Sequence, residues 1–470
     1  MRHLVLFLLC SALACSSDAA PEPLFGAVGG SGGAAGASGP GAGGSTRACI
    51  PGKQEACACA VGAGFQSCLA DGSGFNPCVC PGAGGASGSG TGTAGTGGVA
   101  AGGGTPGAGG GQGTFGDQDG DGWGPEQGDC ADNDTAVNPG AFEVSGNGLD
   151  DDCDGAVDQP AATCDSGLGP VFSDPLDAAK AVGLCSVGVE DNPEDAKQRR
   201  PGVIAASFSD IAGAFLVTPP RPKADPAKQL GILPSFGEAT QPQEGASLFA
   251  LSSGNAKVGK DVCNGGAAFA ANVFPPGFPK NGDCGSTGKP NDGIALDLKL
   301  RAPTNAKSFK VRFKFFTCEY PNYTCSSYND IFAILMSPSP LAKGDPMSDG
   351  GENQSANVAF ETSATGAKNV IGVNNTTFLS ACLKDPQTPK YTSCGSEAGL
   401  KGSGFEGHAA SAWLETQVPI PAFPAGADRV LSLRFAIWDS SDHILDSTTV
   451  VDGFQWSNEA IAAVVTSTKP

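Results

Sequence analysis

Histidine is scarce in this chain, with three in 470 residues. His3 lies in the N-terminal apolar segment, and His408 and His443 sit far apart with no serine nucleophile motif around them. A Ser-His-Asp hydrolase is therefore disfavoured. Beyond the N-terminus no apolar run is long enough for a transmembrane helix, so membrane attachment would have to be through lipid. No phosphate-cradling loop or dinucleotide fingerprint follows a strand pattern. Basic residues number 28 against 48 acidic ones, a formal charge of -20, which argues against nucleic acid as a partner. The sharpest absence is local. From Asp117 to Asp158 there are thirteen acidic residues and not one Lys or Arg.

A block of like charge is ordinarily a solvated, self-repelling linker. Here the carboxylates are spaced: Asp117-x-Asp119-x-Asp121-Gly122, Asp129-Cys130-x-Asp132-x-Asp134 and Asp150-x-Asp152-x-Asp154-Gly155. Oxygen ligands on alternate residues, followed by a glycine for a sharp turn, suit a hard cation that takes about six to eight oxygens. The segment has no His and no Met, so Ca²⁺ is the expected ion and copper is not. Neither loop is a complete EF-hand, because position twelve from Asp117 is Gly128 rather than a glutamate, with Asp129 one residue further on. Calcium that only stiffens a stalk is the preferred form of this reading.

The N-terminus reads as an export signal. Arg2 and His3 precede the apolar run Leu4 to Leu9, and Ser11-Ala12-Leu13-Ala14-Cys15 follows. This string resembles a bacterial lipobox with Cys15 as the lipidated residue, although Ala12 and Leu13 stand in swapped order. The alternative is an ordinary secretory signal cleaved near Ala14. Setting aside Cys10 and Cys15 leaves sixteen cysteines, for which an exported chain makes disulfides the default. They fall into local sets: six between Cys49 and Cys80, then Cys130 with Cys153, Cys164 with Cys185, Cys263 with Cys284, Cys318 with Cys325, and Cys382 with Cys394. Zinc at Cys57-x-Cys59 and Cys78-x-Cys80 is disfavoured by the one-residue spacing and the absence of a nearby histidine.

The expected organisation is a signal over 1–15, a Gly/Ala/Ser tether over 16–48, a small cysteine-rich module over 49–80 and a Gly-rich linker over 81–116. The Asp-rich motif over 117–158 and a large domain over 164–460 follow. The two glycine-rich stretches lack the apolar side chains that would offset chain entropy. The cysteine-rich module resembles segments of myxobacterial surface lipoproteins and reads as a protease-resistant spacer. The fold class is mainly β: a large β-sandwich preceded by a short helix, with a disulfide-stapled calcium-loop segment and flexible linkers. For the helix, Asp174 is a candidate N-cap, Pro175 fits the first turn and Gly183 ends the run. For the sandwich, Ile294 to Leu300, Phe309 to Phe315 and Leu431 to Ile437 alternate apolar with polar or small residues. Ile331 to Met336 is continuously apolar, as a strand buried on both faces would be. Lys310, Arg312 and Lys314 read as a solvated strand face.

The acidic string also carries Asn138-Pro139-Gly140-Ala141-x-Glu143 and Asn147-Gly148-x-Asp150-Asp151-Asp152-Cys153-Asp154-Gly155. Together these resemble the MopE-type metal-binding motif. One departure is Val144-Ser145, where relatives usually carry another cysteine after the glutamate. Cys130 and Cys153 are then left to staple the loops to each other. The resemblance completes the candidate ligand set: Asp117, Asp119, Asp121, Asp129, Asp132, Asp134, Glu143, Asp150, Asp152, Asp154 and Asp158.

In the large domain, Glu319-Tyr320-Pro321, Asn329-Asp330-Ile331-Phe332 and the block Ala436 to Ser447 resemble the choice-of-anchor L family. Val370 to Phe378 fits between them, while Thr317 and Cys318 depart from its usual residues before Glu319. That resemblance implies a bacterial surface protein and no particular activity. Glu319, Asp330, Asp439, Asp442 and Asp446 read equally as a second calcium site or as turn formers. The functional expectation is a lipid-anchored, non-catalytic adhesion or recognition protein at the outer membrane or cell surface, extracellular if the lipobox is unused. Its ligand would be a polysaccharide or another surface protein. The alternative is an extracellular polysaccharide hydrolase using Glu319 and Asp330 as paired acids.

Overall fold

Alternating apolar and polar residues produce strands with one wet and one dry face, and two such sheets bury their dry faces against each other. The computed structural model describes residues 54–58, 63–67, 117–169, 174–189, 199–213, 226–259, 262–263, 274–275, 278, 288–320, 322–348, 355–375, 378, 400–424 and 428–469. The chain divides into two compact units, Met1–Gly107 and Ala108–Pro470. In the first, β1 (Gln54–Ala58) and β2 (Ala63–Ser67) form an antiparallel hairpin with Cys57 opposite Gly64. Cys15, the signal and tether, the linker over 81–116, and Cys284, Cys382 and Cys394 lie outside the described residues.

The second unit holds a helix α1 (Pro175–Val182) and fourteen described strands. These are β3 (Gly202–Ser209), β4 (Leu230–Leu233), β5 (Leu248–Ser252), β6 (Pro290–Arg301), β7 (Ser308–Thr317), β8 (Ile331–Ser337) and β9 (Ala356–Asn357). They continue as β10 (Phe360–Thr362), β11 (Lys368–Gly372), β12 (Ala409–Ala410), β13 (Trp413–Pro419), β14 (Val430–Ser440), β15 (Ser447–Ser457) and β16 (Val465–Lys469). One antiparallel sheet runs β10-β11-β8-β14-β6-β3 with β9 on β8, and the other runs β16-β13-β7-β15-β5-β4 with β12 on β7. The strand β16 lies past residue 460, where the sequence placed the domain's end.

Register lines the dry faces up. In the first sheet Phe208, Leu296, Phe435 and Ile334 form one cross-strand row; in the second, Leu414, Phe313, Val451, Phe249 and Ile232 form another. The two dry faces meet across the sandwich, with Phe313 and Phe332 rings 5.0 Å apart and Phe208 and Phe249 6.4 Å apart. Each fully buried side chain of this size contributes about 1.5–3 kcal/mol. As its composition predicts, β8 is buried from Ile331 to Met336 between β11 and β14.

The helix forms as its caps dictate. Asp174 Oδ1 accepts the Leu176 amide at 2.9 Å, and Gly183 ends it at φ 108°. A Cβ at Gly183 would sit 3.1 Å from the Phe454 backbone, so only glycine fits the stop.

Two expectations are corrected. Lys314 is not on a solvated face. Phe316, two residues on, packs against Phe236 and Phe405, and this cover buries Lys314, whose Nζ donates to Thr240 Oγ1 at 3.1 Å. Burial pulls that ammonium down to about 8. The local pairing of cysteines also fails for Cys263 and Cys318. Cys130–Cys153 and Cys164–Cys185 form as grouped, but Cys318 bonds Cys263, with Cα atoms 5.6 Å apart. The chain returns Cys263 to the end of β7, so the spatial neighbour replaces the sequence neighbour.

Candidate metal centre

The acidic segment is ordered chiefly by backbone amides donating to its own carboxylates. Asp117 Oδ1 accepts Gly120 N at 2.7 Å and Oδ2 accepts Gly122 N at 3.1 Å. Thirty-three residues on, Asp150 Oδ1 accepts Asp154 N at 3.0 Å and Oδ2 accepts Gly155 N at 3.0 Å. The second acid of each triplet, Asp119 or Asp152, accepts the amide two residues later, as do Asp121 and Asp154 in turn. Both turns close on a left-handed glycine, Gly122 at φ 96° and Gly155 at φ 98°. The spacing Asp-x-Asp-x-Asp-Gly thus builds the same turn twice.

Each turn gathers carboxylate oxygens. One oxygen from each of Asp117, Asp119 and Asp121 lies within 4.8 Å of the others, and Glu143, Asp150 and Asp152 form a second such group. Asp129 stands beside the first group, buried and close enough to feel the charge of Asp119. Burial, followed by the neighbouring carboxylates, raises Asp121 to about 6 against the pull of the Trp123 amide. Burial and Asp154 likewise raise Asp152. Crowded carboxylates of this kind are what a cation relieves.

A direct fit test comes from unsatisfied oxygens. Asp119 Oδ2, Asp129 Oδ2 and Glu143 Oε2 are buried and accept no hydrogen bond. Glu143 spends its other oxygen on the amides of Asp151 and Asp152, which orients the free one. Buried acceptors are normally paired, so orphans in both groups fit a metal ion. The donor set is all oxygen, since Cys130 and Cys153 are joined to each other.

The remaining predicted ligands lie outside these two groups and accept hydrogen bonds of their own. Asp132 accepts both the amide and the side chain of Gln118, and Asp134 accepts Ala136 N. Asp154 also holds Gln159, and Asp158 collects the amides of Gly146, Asn147 and Gly148. Two residues of structural importance were not singled out from sequence. Asp151, 2 % exposed, accepts Val144 N and the Asn147 side chain. Asn138, fully buried, donates to Asp121 Oδ2 at 2.7 Å and accepts from Thr304 Oγ1 at 2.8 Å. The only hint of either was its place in the motif string.

Asn138 also reveals where the segment sits. Thr304 N donates to Gly140 O, and Asn305 exchanges two hydrogen bonds with the Phe142 backbone. The Asp-rich segment is therefore docked on the turn between β6 and β7, with Trp123, Val137 and Ala141 as its small apolar interior. The stalk anticipated from sequence is, over these residues, part of the sandwich unit.

The second acidic set lies at one end of the sandwich. Glu319 follows β7, Asp330 precedes β8, Asp439 is near the end of β14, and Asp442 and Asp446 lie between β14 and β15. Glu319 and Asp330 are 1 % and 0 % exposed. The two histidines are held apart, His408 on the Cys318 carbonyl and His443 on Asp292.

Residues 129–159 match the family model Cu-binding MopE, described as a "Putative metal-binding motif". No curated protein matches the chain.

Proposed function

We propose that this chain is a calcium-binding surface protein in which the Asp-rich segment fixes one end of a β-sandwich used for recognition. The observation that carries the metal assignment is the duplicated turn, each copy holding buried carboxylate oxygens with no hydrogen-bond partner. Hard oxygen donors, with the nearby sulfurs tied in a disulfide, favour Ca²⁺ over the copper in the family's name. Calcium would be held by Asp117, Asp119, Asp121 and Asp129 at one turn and by Glu143, Asp150 and Asp152 at the other. Its role is structural, to offset the repulsion of acids that the fold crowds together.

The sandwich is the recognition part of this proposal. Its resemblance to the choice-of-anchor L family and the lipobox-like Cys15 support display from a lipid anchor at the cell surface. A depression of about 410 Å³ on the outer face of the first sheet, largely apolar with Leu335 and Met336 in its lining and with Ser207, Lys299, Ser432 and the paired Asp297 and Arg434 beside them, offers a surface of mixed character to a ligand. A non-catalytic reading is supported by the burial of Glu319 and Asp330, which leaves neither poised over a substrate.

Calorimetric titration of the EDTA-stripped protein tests the metal. Calcium heat that falls, without needing to vanish, in an Asp117→Asn/Asp150→Asn variant is the expected outcome; tight copper binding with no calcium heat at millimolar concentration would overturn it. Palmitate labelling that disappears in Cys15→Ser is expected for the anchor, and equal release of both forms into the medium would contradict it. Glycan and surface-protein binding without turnover is expected of the sandwich. Polysaccharide cleavage abolished by Glu319→Gln would establish the hydrolase instead.

A further inference from the structure

The end of the sandwich where both sheets meet contains charge that the fold does not balance. The register pairs Trp438 with Ile331, which sets Asp439 beside Asp330 one residue further on. Glu319 reaches the same point from the end of β7 in the opposite sheet, and Asp442 from the turn after β14. Carboxylate oxygens of Glu319, Asp439 and Asp442 lie within 4.8 Å of one another. Among the described residues no ion pair reaches any of these three or Asp330.

Hydrogen bonding separates the four acids. Asp330 is engaged, accepting Ser440 N at 3.2 Å on Oδ1 and lying 3.5 Å from the Ser253 hydroxyl on Oδ2. Glu319 accepts only a long 3.4 Å bond from Asp330 N. Asp439 is fully buried, and its carboxylate oxygens meet no hydrogen-bond donor, with the carboxylate of Asp330 beside them. Both oxygens of a buried aspartate left empty would be a heavy cost in any fold.

We infer that Glu319, Asp439 and Asp442 hold a divalent cation, calcium, inside the sandwich, separate from the Asp-rich segment. Calcium binds oxygen at about 2.3–2.6 Å, so oxygens on one ion lie up to about 5 Å apart, and the three carboxylates fall within that limit. Three carboxylates offer as many as six oxygens to an ion that takes about six to eight, whereas magnesium keeps much of its water. The ion would tie the ends of β7 and β14, one from each sheet, through a charge that neither sheet supplies. The competing state is a set of shared protons with no metal.

The test uses the full chain. In an Asp117→Asn/Asp150→Asn background, equilibrium dialysis is expected to retain about one calcium per chain from this site, with a calcium-dependent rise in melting temperature. Adding Asp439→Asn should abolish both, while melting in EGTA stays at or above the background because an uncompensated buried charge is gone. Failure of the Asp-rich segment alone would appear as no difference between the wild type and that background. Should Asp439→Asn fail to fold, the half-buried Asp442→Asn is expected to weaken calcium about tenfold. No retained calcium in the background, or unchanged calcium after Asp439→Asn or Asp442→Asn, would overturn the site in favour of shared protons.

Discussion

Aspartate does different work in the Asp-rich segment and in the sandwich. Between Asp117 and Asp158 the acids are neighbours in sequence, partly exposed, and accept amides a few residues away. In the sandwich Glu319, Asp330 and Asp439 arrive from three different elements and are buried beside one another. One region is held by its carboxylates; the other is held by apolar packing and tolerates carboxylates at its end. The same residue type is structure in the first case and a localised burden in the second, which is why a cation would act differently on each.

The comparison breaks first at the core. Phe313→Ala removes a ring that spans the two sheets at 5.0 Å from Phe332. It is expected to cost about 3–5 kcal/mol in denaturant unfolding of the sandwich. Calcium affinity of the Asp-rich segment should survive in whatever fraction stays folded. A loss below 1 kcal/mol would mean that the face-to-face rows are not what stabilises the sandwich.

The next effect belongs to the segment. The Cys130–Cys153 bond closes a loop with a sequence separation of 23. Replacing both cysteines by serine is expected to remove about 2–4 kcal/mol from this region. Limited proteolysis should then cut within 117–158 while the sandwich stays intact. Simultaneous cutting of both regions would show that docking through Asn138 and Asn305 couples them into one cooperative unit.

A smaller change separates ligand from scaffold. Asp150→Asn keeps acceptor capacity on one atom but removes charge from the Glu143–Asp150–Asp152 group. Calcium affinity at that turn should fall about tenfold, equivalent to about 1.4 kcal/mol. Asp132→Asn, whose wild-type carboxylate faces Gln118, should change affinity far less. Equal effects would place Asp132 among the ligands.

These contrasts also explain what could be read from the sequence. The helix was legible because Asp174, Pro175 and Gly183 act within one turn of themselves. The strands of β6, β7, β8 and β14 were legible from alternation and continuous apolarity. The turns at Asp117 and Asp150 were legible because their partners are local amides. Lys314 was misread because its cover, Phe236 and Thr240, lies far away in the chain. Cys263–Cys318 was missed for the same reason, since local grouping knows nothing of a returning strand. The convergence of Glu319, Asp439 and Asp442 was open in sequence between turns and a site, and strand register decides their proximity.

The smallest expected effect concerns an ordinary salt bridge, and it gives the baseline against which the metal sites are judged. Asp428 accepts Arg301 Nε at 2.6 Å and a second guanidinium nitrogen at 2.8 Å, and Arg301 is buried and also donates to Val189 O. The Arg301 guanidinium holds the Asp428 carboxyl below the usual range against the opposing effect of burial. A depressed carboxyl contributes stability that is fully present above its ordinary value of about 3.9 and is lost as pH falls through the lower folded value. Because Asp428 is partly exposed, solvent screening limits the contribution to about 1 kcal/mol or less. Asp428→Asn should therefore flatten the acid limb of the stability curve below about pH 4 and leave calcium dependence untouched at neutral pH. A calcium-dependent difference between Asp428→Asn and the wild type would show that the sandwich transmits charge changes from this pair to its metal-binding end, and the two regions would no longer be separable by mutation.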